Sequence, residues 1–155
     1  MTGLGLLYYW LYGNSWRTAD LGKAIFVCEE AVGCTSTVPW QLALGLSSTL
    51  QRRFSDEGDV EDIDRAIQLH QNALSPMKKG YPYRPLLLSN LGNELVQRFN
   101  RLGKLTNIEN AILSQQKAVA HARRQTNIFI FLTLVLHLKH VLTGLEASKI
   151  SKMRF

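Results

Sequence analysis

Between residues 60 and 74 apolar side chains return every three or four positions. Val60, Ile63, Ala66, Ile67, Ala73 and Leu74 share one face, and His70 stands on it with them. That spacing matches the 3.6-residue period of an amphipathic helix. Leu21, Ala24, Ile25, Cys28, Ala31 and Val32 write the same stripe, and so do Ile108, Ala111, Ile112, Gln115, Ala118 and Val119. A second kind of stripe precedes each of these: Leu46, Leu50 and Phe54, then Leu91, Leu95 and Phe99, with Leu4, Tyr8 and Tyr12 in the same frame.

The two stripes alternate with a fixed offset. Leu4-Gly5, Leu46-Ser47 and Leu91-Gly92 stand 20 residues before Ala24-Ile25, Ala66-Ile67 and Ala111-Ile112, measured from Leu to Ala, and successive copies are 42 and 45 residues apart. One connection is therefore constant in length and the other tolerates insertion, as in a repeat array. Within the constant connection, Gly58 and Gly103 lie four residues past Phe54 and Phe99, where a helix C-cap favours positive φ. Asp59 and Thr106 then serve as N-caps, with Glu61, Asp62 and Glu109 in the following first turns. In the variable connection Pro39, Pro82 and Pro85 stop the chain from continuing as helix. The small residue after each leading Leu, and the Ala of each Ala-Ile, let helices approach closely. The expected fold class is all-α, built of antiparallel helix-pair repeats with a period of 42 to 45 residues. Residues 1–145 form the array of about three helix pairs, with a degenerate last helix, and 146–155 a basic tail.

Leu91-Gly92 with Leu95, then Ala111, Ala118 and a helix-ending loop, resembles the tetratricopeptide (TPR) repeat, with the turn inside the repeat lengthened by about seven residues over the usual period of about 34. The stretch "RPLLLSNLGNELVQRFNRLGKLTNIENAILSQQKAV" is similar to the TPR-like arrays of fungi that accompany nucleotide-binding signalling modules or caspase-like CHAT protease domains. The resemblance implies an α-solenoid that acts as a protein–protein interaction scaffold, as a fragment or arm of a larger cytoplasmic signalling protein. Its partner would be a protein or peptide, with self-association through the terminal repeats as a further expectation. In such arrays the helix bearing Leu-Gly lines the concave face. The partner-binding positions then map to Leu44, Ser48, Gln51 and Arg52 in one copy and Ser89, Asn93, Val96 and Gln97 in the next. Asn93 falls where carboxylate-clamp members keep an asparagine, but Ser48 and Leu138 replace the neighbouring one and Ser89 stands where a Lys belongs.

Composition alters this picture little. The formal charge is +6, yet residues 1–116 carry 11 basic against 11 acidic residues, and the last 39 hold 7 basic against one acid, Glu146. Arg123, Arg124, Lys149, Lys152 and Arg154 gather near element ends and the tail, without the stacking aromatics of a nucleic-acid module. The alternative function is peripheral association of this C-terminal third with anionic membrane or nucleic acid. Two cysteines, Cys28 and Cys34, suit neither a disulfide nor a metal quartet and point to a reducing compartment. "GLGLLYYWLY" and "IFIFLTLVL" are each shorter than the roughly 20 apolar residues of a membrane span.

No catalytic pattern emerges. The repeat serves as the control: His70 holds a position taken by Cys28 and Gln115 in the other copies and reads as semi-buried packing. His137 and His140 could seat half a metal site, and no third ligand stands near. The acid pairs Glu29-Glu30, Asp56-Glu57 and Glu61-Asp62 belong to helix ends and solvated faces. Phosphate-binding glycine loops, a nucleophile elbow and a Cys-His dyad are absent from the sequence. The expectation is a chain that is not an enzyme, with no catalytic residue, metal or cofactor.

Overall fold

A computed structural model describes residues 18–124 and Lys139. Five α-helices follow one another: α1 Thr18–Gly33, α2 Trp40–Glu57, α3 Val60–Leu74, α4 Arg84–Leu102 and α5 Leu105–Arg124. No strand occurs among the described residues, so the chain is all-helical there. The N-terminal copy of the first stripe, the final apolar helix, His137, Leu138, His140 and the basic tail lie outside the described residues.

Each helix packs chiefly against its neighbours in sequence, and α2 also touches α4. Between α2 and α3, and again between α4 and α5, only two residues intervene, and the reason is backbone conformation. Gly58 and Gly103 take φ of 78° and 69°, and their N–H groups donate to the carbonyls of Phe54 and Phe99 at 2.8 and 2.7 Å. A residue with a Cβ enters this left-handed region only with strain. Asp59 then caps α3, its side chain accepting from Glu61 N–H at 3.0 Å. The second connection starts its helix differently: α5 already includes Leu105, and Asn107 N–H donates to Lys104 O, so Thr106 lies inside the first turn and not at the cap.

The longer connection runs from Ser75 to Tyr83, and α3 ends there without a left-handed cap. Arg84 closes this loop, one guanidinium nitrogen donating to Leu74 O and Met77 O at 2.8 Å each. Pro39 is the N-cap of α2, and Pro85 sits in the first turn of α4. Pro85 therefore starts a helix where the sequence suggested a stop, because a first-turn residue needs no intrahelical N–H.

The stripes converge on one core. Leu21, Ala24, Ile25 and Cys28 of α1, Leu46 and Leu50 of α2, Ile63, Ala66, Ile67, Ala73 and Leu74 of α3, Leu91, Leu95 and Phe99 of α4, and Ile108, Ala111 and Ala118 of α5 are all buried. Leu42, Ala43, Leu69, Leu87, Leu88 and Ala122 join them outside the three-residue stripes. Ala66 and Ala111 are fully inaccessible, as expected for the close-approach positions.

Candidate functional site

The faces of α2 and α4 that were expected to meet a partner rest on a layer of buried polar side chains. Three residues equivalent by repeat, Cys28, His70 and Gln115, are all inaccessible to solvent or nearly so. His70 is thus not semi-buried: it has no accessible surface. Opposite it stands the small residue after the leading Leu. Ser47 Oγ is 3.4 Å from His70 Nε2 in one copy, and Gly92 faces Gln115 in the next. A Cβ on Gly92 would come within 2.7 Å of Gln115 Nε2 and 2.9 Å of its Cγ, so the larger side chain on α5 requires no side chain on α4.

Glu94 completes the layer. It lies on α4 at 0% exposure, 2.9 Å through Oε2 from His70 Nδ1, and its Oε1 accepts from Gln51 Nε2 at 2.8 Å. Against an ionised carboxylate, which offers only acceptors, Nδ1 is the donor, and Nε2 faces Ser47. The side chains of α2, α3 and α4 are thereby joined by one hydrogen-bonded chain, Gln51–Glu94–His70–Ser47. Its order of hydroxyl, imidazole and carboxylate is that of an acyl-transfer triad. Ser47 is 1% exposed and its hydroxyl also lies 3.2 Å from Leu44 O, so no carbonyl substrate reaches it in this fold. Buried polar groups of this kind specify how helices register, since each is costly unless fully partnered.

Of the eight expected surface positions, two pack onto the core and one is buried. Leu44 and Val96 are half-buried against it. Ser89 is buried, with its Oγ 3.4 Å from Gln115 Oε1. Gln115 Nε2 donates to Ser89 O and to Asn93 Oδ1, both at 3.0 Å. Asn93 and Gln51 are therefore tied into the buried layer while keeping part of their surface open. Ser48, whose hydroxyl donates to Leu44 O at 2.8 Å, Arg52 and Gln97 are half-buried. Gln97 Oε1 is buried with no hydrogen-bond partner among the described residues.

Charged groups hold the rest. Asp62, expected on a solvated first turn, is 1% exposed, and its carboxylate accepts from Arg53 Nε at 2.7 Å and from a second guanidinium nitrogen. The hydrogen bond to Asp62 holds the Arg53 guanidinium charged even further above its ordinary range. The next copy substitutes Asn107 for Asp62 and keeps the arginine as Arg98, which pairs instead with Asp64 of α3 at 2.8 Å. Glu29 and Arg65 link α1 to α3. They border a cavity of about 260 Å³ that is also lined by Val32, Gly33, Leu46, Gln68 and Leu69. No group of three side chains suited to a metal ion occurs among the described residues. No helix of the described residues is long and apolar enough to cross a membrane.

The sequence hid Glu94 and Asp62 for one reason: a charged letter beside a hydrophobic stripe reads as a solvated neighbour. A signal was present in the repeat, because Glu94 replaces Thr49, itself buried and bonded to Gly45 O at 2.7 Å, and Gln51 is replaced by Val96. No family model, curated protein or solved structure matches this chain.

Proposed function

We propose that this protein is a non-enzymatic interaction scaffold, a TPR-like α-solenoid that works in the cytoplasm as an arm of a larger signalling protein of the fungal type. The observation that carries the reading is the register of the repeat. Ser47 with His70 and Gly92 with Gln115 are the same contact 45 residues apart, so consecutive helix pairs use one packing scheme. Such a scheme extends by addition, and a repeat buries its apolar face against its neighbours. The partner is a protein or peptide that lies along α2 and α4, where Ser48, Arg52, Asn93 and Gln97 stay partly accessible above the buried layer.

A displayed random-peptide library selected on the intact chain tests the proposal. Enriched peptides should lose binding to the R52E and Q97A variants, each with an unchanged circular dichroism spectrum. Failure to enrich any peptide, or equal binding by both variants, defeats it. Small-angle scattering with a globular envelope would defeat the solenoid.

A further inference from the structure

The loop between α3 and α4 meets the start of α2 in an aromatic stack. Trp40 and Tyr83 are 43 residues apart in sequence, and their rings lie 4.0 Å apart between centroids with planes within 16°. Tyr81 stands next in the row, 6.2 Å from Tyr83 and tilted by 53°. Although Trp40 covers one side of Tyr83, Tyr83 keeps 45% of its surface exposed and Tyr81 keeps 39%. Loops ordinarily present polar side chains, so two partly exposed tyrosines beside a half-buried tryptophan form a shaped aromatic surface.

The segments that supply the stack carry charge of one sign. Lys78 and Lys79 are exposed two and three residues before Tyr81, and Arg84 follows Tyr83. No aspartate or glutamate occurs from 75 to 93, nor from 31 to 55, the two segments that supply the stack. Lys78, Lys79 and Arg84 take no part in the four ion pairs found among the described residues. One guanidinium nitrogen of Arg84 donates to two backbone carbonyls, which leave its positive charge unneutralised.

We infer that the Trp40–Tyr83–Tyr81 row with Lys78 and Lys79 is a binding platform for single-stranded nucleic acid. A flat base stacks on the tyrosine rings, and the backbone phosphates on either side meet the lysines. Such a ligand presents planar aromatic groups and negative charge in one repeating unit, which matches ring surface and cations side by side. Stacking tolerates any base, so the platform reads strandedness and not sequence. Duplex ends its usefulness here because paired bases are already stacked on one another.

Fluorescence anisotropy of the full chain with a labelled oligouridylate of about 12 nucleotides tests this. Y81A should weaken binding roughly 5- to 150-fold, as the loss of one stacked base does, and Y81F should retain it. K78A/K79A should lower the slope of log affinity against log salt by about 1.4, from two lost phosphate contacts at about 0.7 each. Both sets leave the C-terminal basic residues in place, so binding that persists unchanged in Y81A and K78A/K79A lies elsewhere and overturns the inference. Absence of oligouridylate binding overturns it as well, as does equal affinity for a duplex of the same length. Binding of phosphatidylserine vesicles with the same variant dependence, and none of oligouridylate, would reassign the platform to a lipid surface and overturn it too. Trp40 and Tyr83 are left intact because they also close the loop. Should Y81A unfold, Y81F and K78A/K79A still decide the matter.

Discussion

Gly92 lies beneath Gln115, with room for no Cβ: the nearest atoms of the glutamine side chain would be 2.7 to 3.0 Å away. The equivalent contact in the preceding copy, Ser47 with His70, has room for a hydroxymethyl group because the planar ring stands 3.4 Å off. The small position and the buried polar position are therefore matched in each copy, and each constrains the other.

Gly92→Ala should destabilise by about 1 to 3 kcal/mol through overpacking, despite the better helix propensity of alanine. Because Gln115 Nε2 would be driven off Ser89 O and Asn93 Oδ1, the double variant G92A/Q115A should cost less than the sum of the two single changes. Urea denaturation midpoints check both. The same assay applies to Ala66→Leu, which fills a position with no accessible surface and should lose a similar amount.

His70→Ala leaves the Glu94 carboxylate buried without its imidazole, a change that costs on the order of 3 to 5 kcal/mol. Replacing Glu94 in the same chain by threonine, the residue of the preceding copy, removes the stranded charge. H70A/E94T should therefore be more stable than H70A alone. A double-mutant cycle with no coupling between positions 70 and 94 would contradict the buried network.

The ion pairs should separate by burial. Asp62→Ala removes a carboxylate that is 1% exposed and accepts two hydrogen bonds from Arg53, and should cost about 1.5 to 3 kcal/mol. Arg65→Ala and Asp64→Ala remove side chains that are themselves 43% and 39% exposed, so each should change stability by about 1 kcal/mol or less. Thermal melts of the three variants rank them.

Cys28 and Cys34 should differ in reactivity. Cys34 is exposed past the end of α1, whereas burial, with the nearby Glu29 carboxylate, pushes the Cys28 thiol above its ordinary range. A raised folded-state value means that the neutral thiol favours folding. That contribution is complete below the ordinary thiol pKa of about 8.5 and is lost as pH climbs through the raised value. The urea midpoint of the wild type should accordingly fall more steeply between neutral and alkaline pH than that of C28A. At neutral pH a disulfide reagent should label Cys34 rapidly and Cys28 only on the timescale of unfolding.

The repeat register, the helical stripes, and the glycine turns at Gly58 and Gly103 were legible in the sequence because they depend on local spacing. A stripe at 3.6 residues can bury itself only as a helix, and a glycine four residues past a phenylalanine can close one. Thr106 misled because α5 begins one residue before it, at Leu105. What no spacing decides is which polar letters turn inward. Glu94 and Asp62 look like surface residues in one dimension, and His70, although on the apolar stripe, gives no sign of its partners. They are buried because each finds its complement on a different helix: Gln51 on α2 and His70 on α3 for Glu94, and Arg53 across a two-residue turn for Asp62. The aromatic row is the same case, since Trp40 and Tyr83 become neighbours only when α2 and α4 lie side by side. The sequence alone determined the period and type of the helices. The tertiary structure decided the partners of the polar groups, because the energy of a buried charge depends on atoms that the chain brings near only by folding.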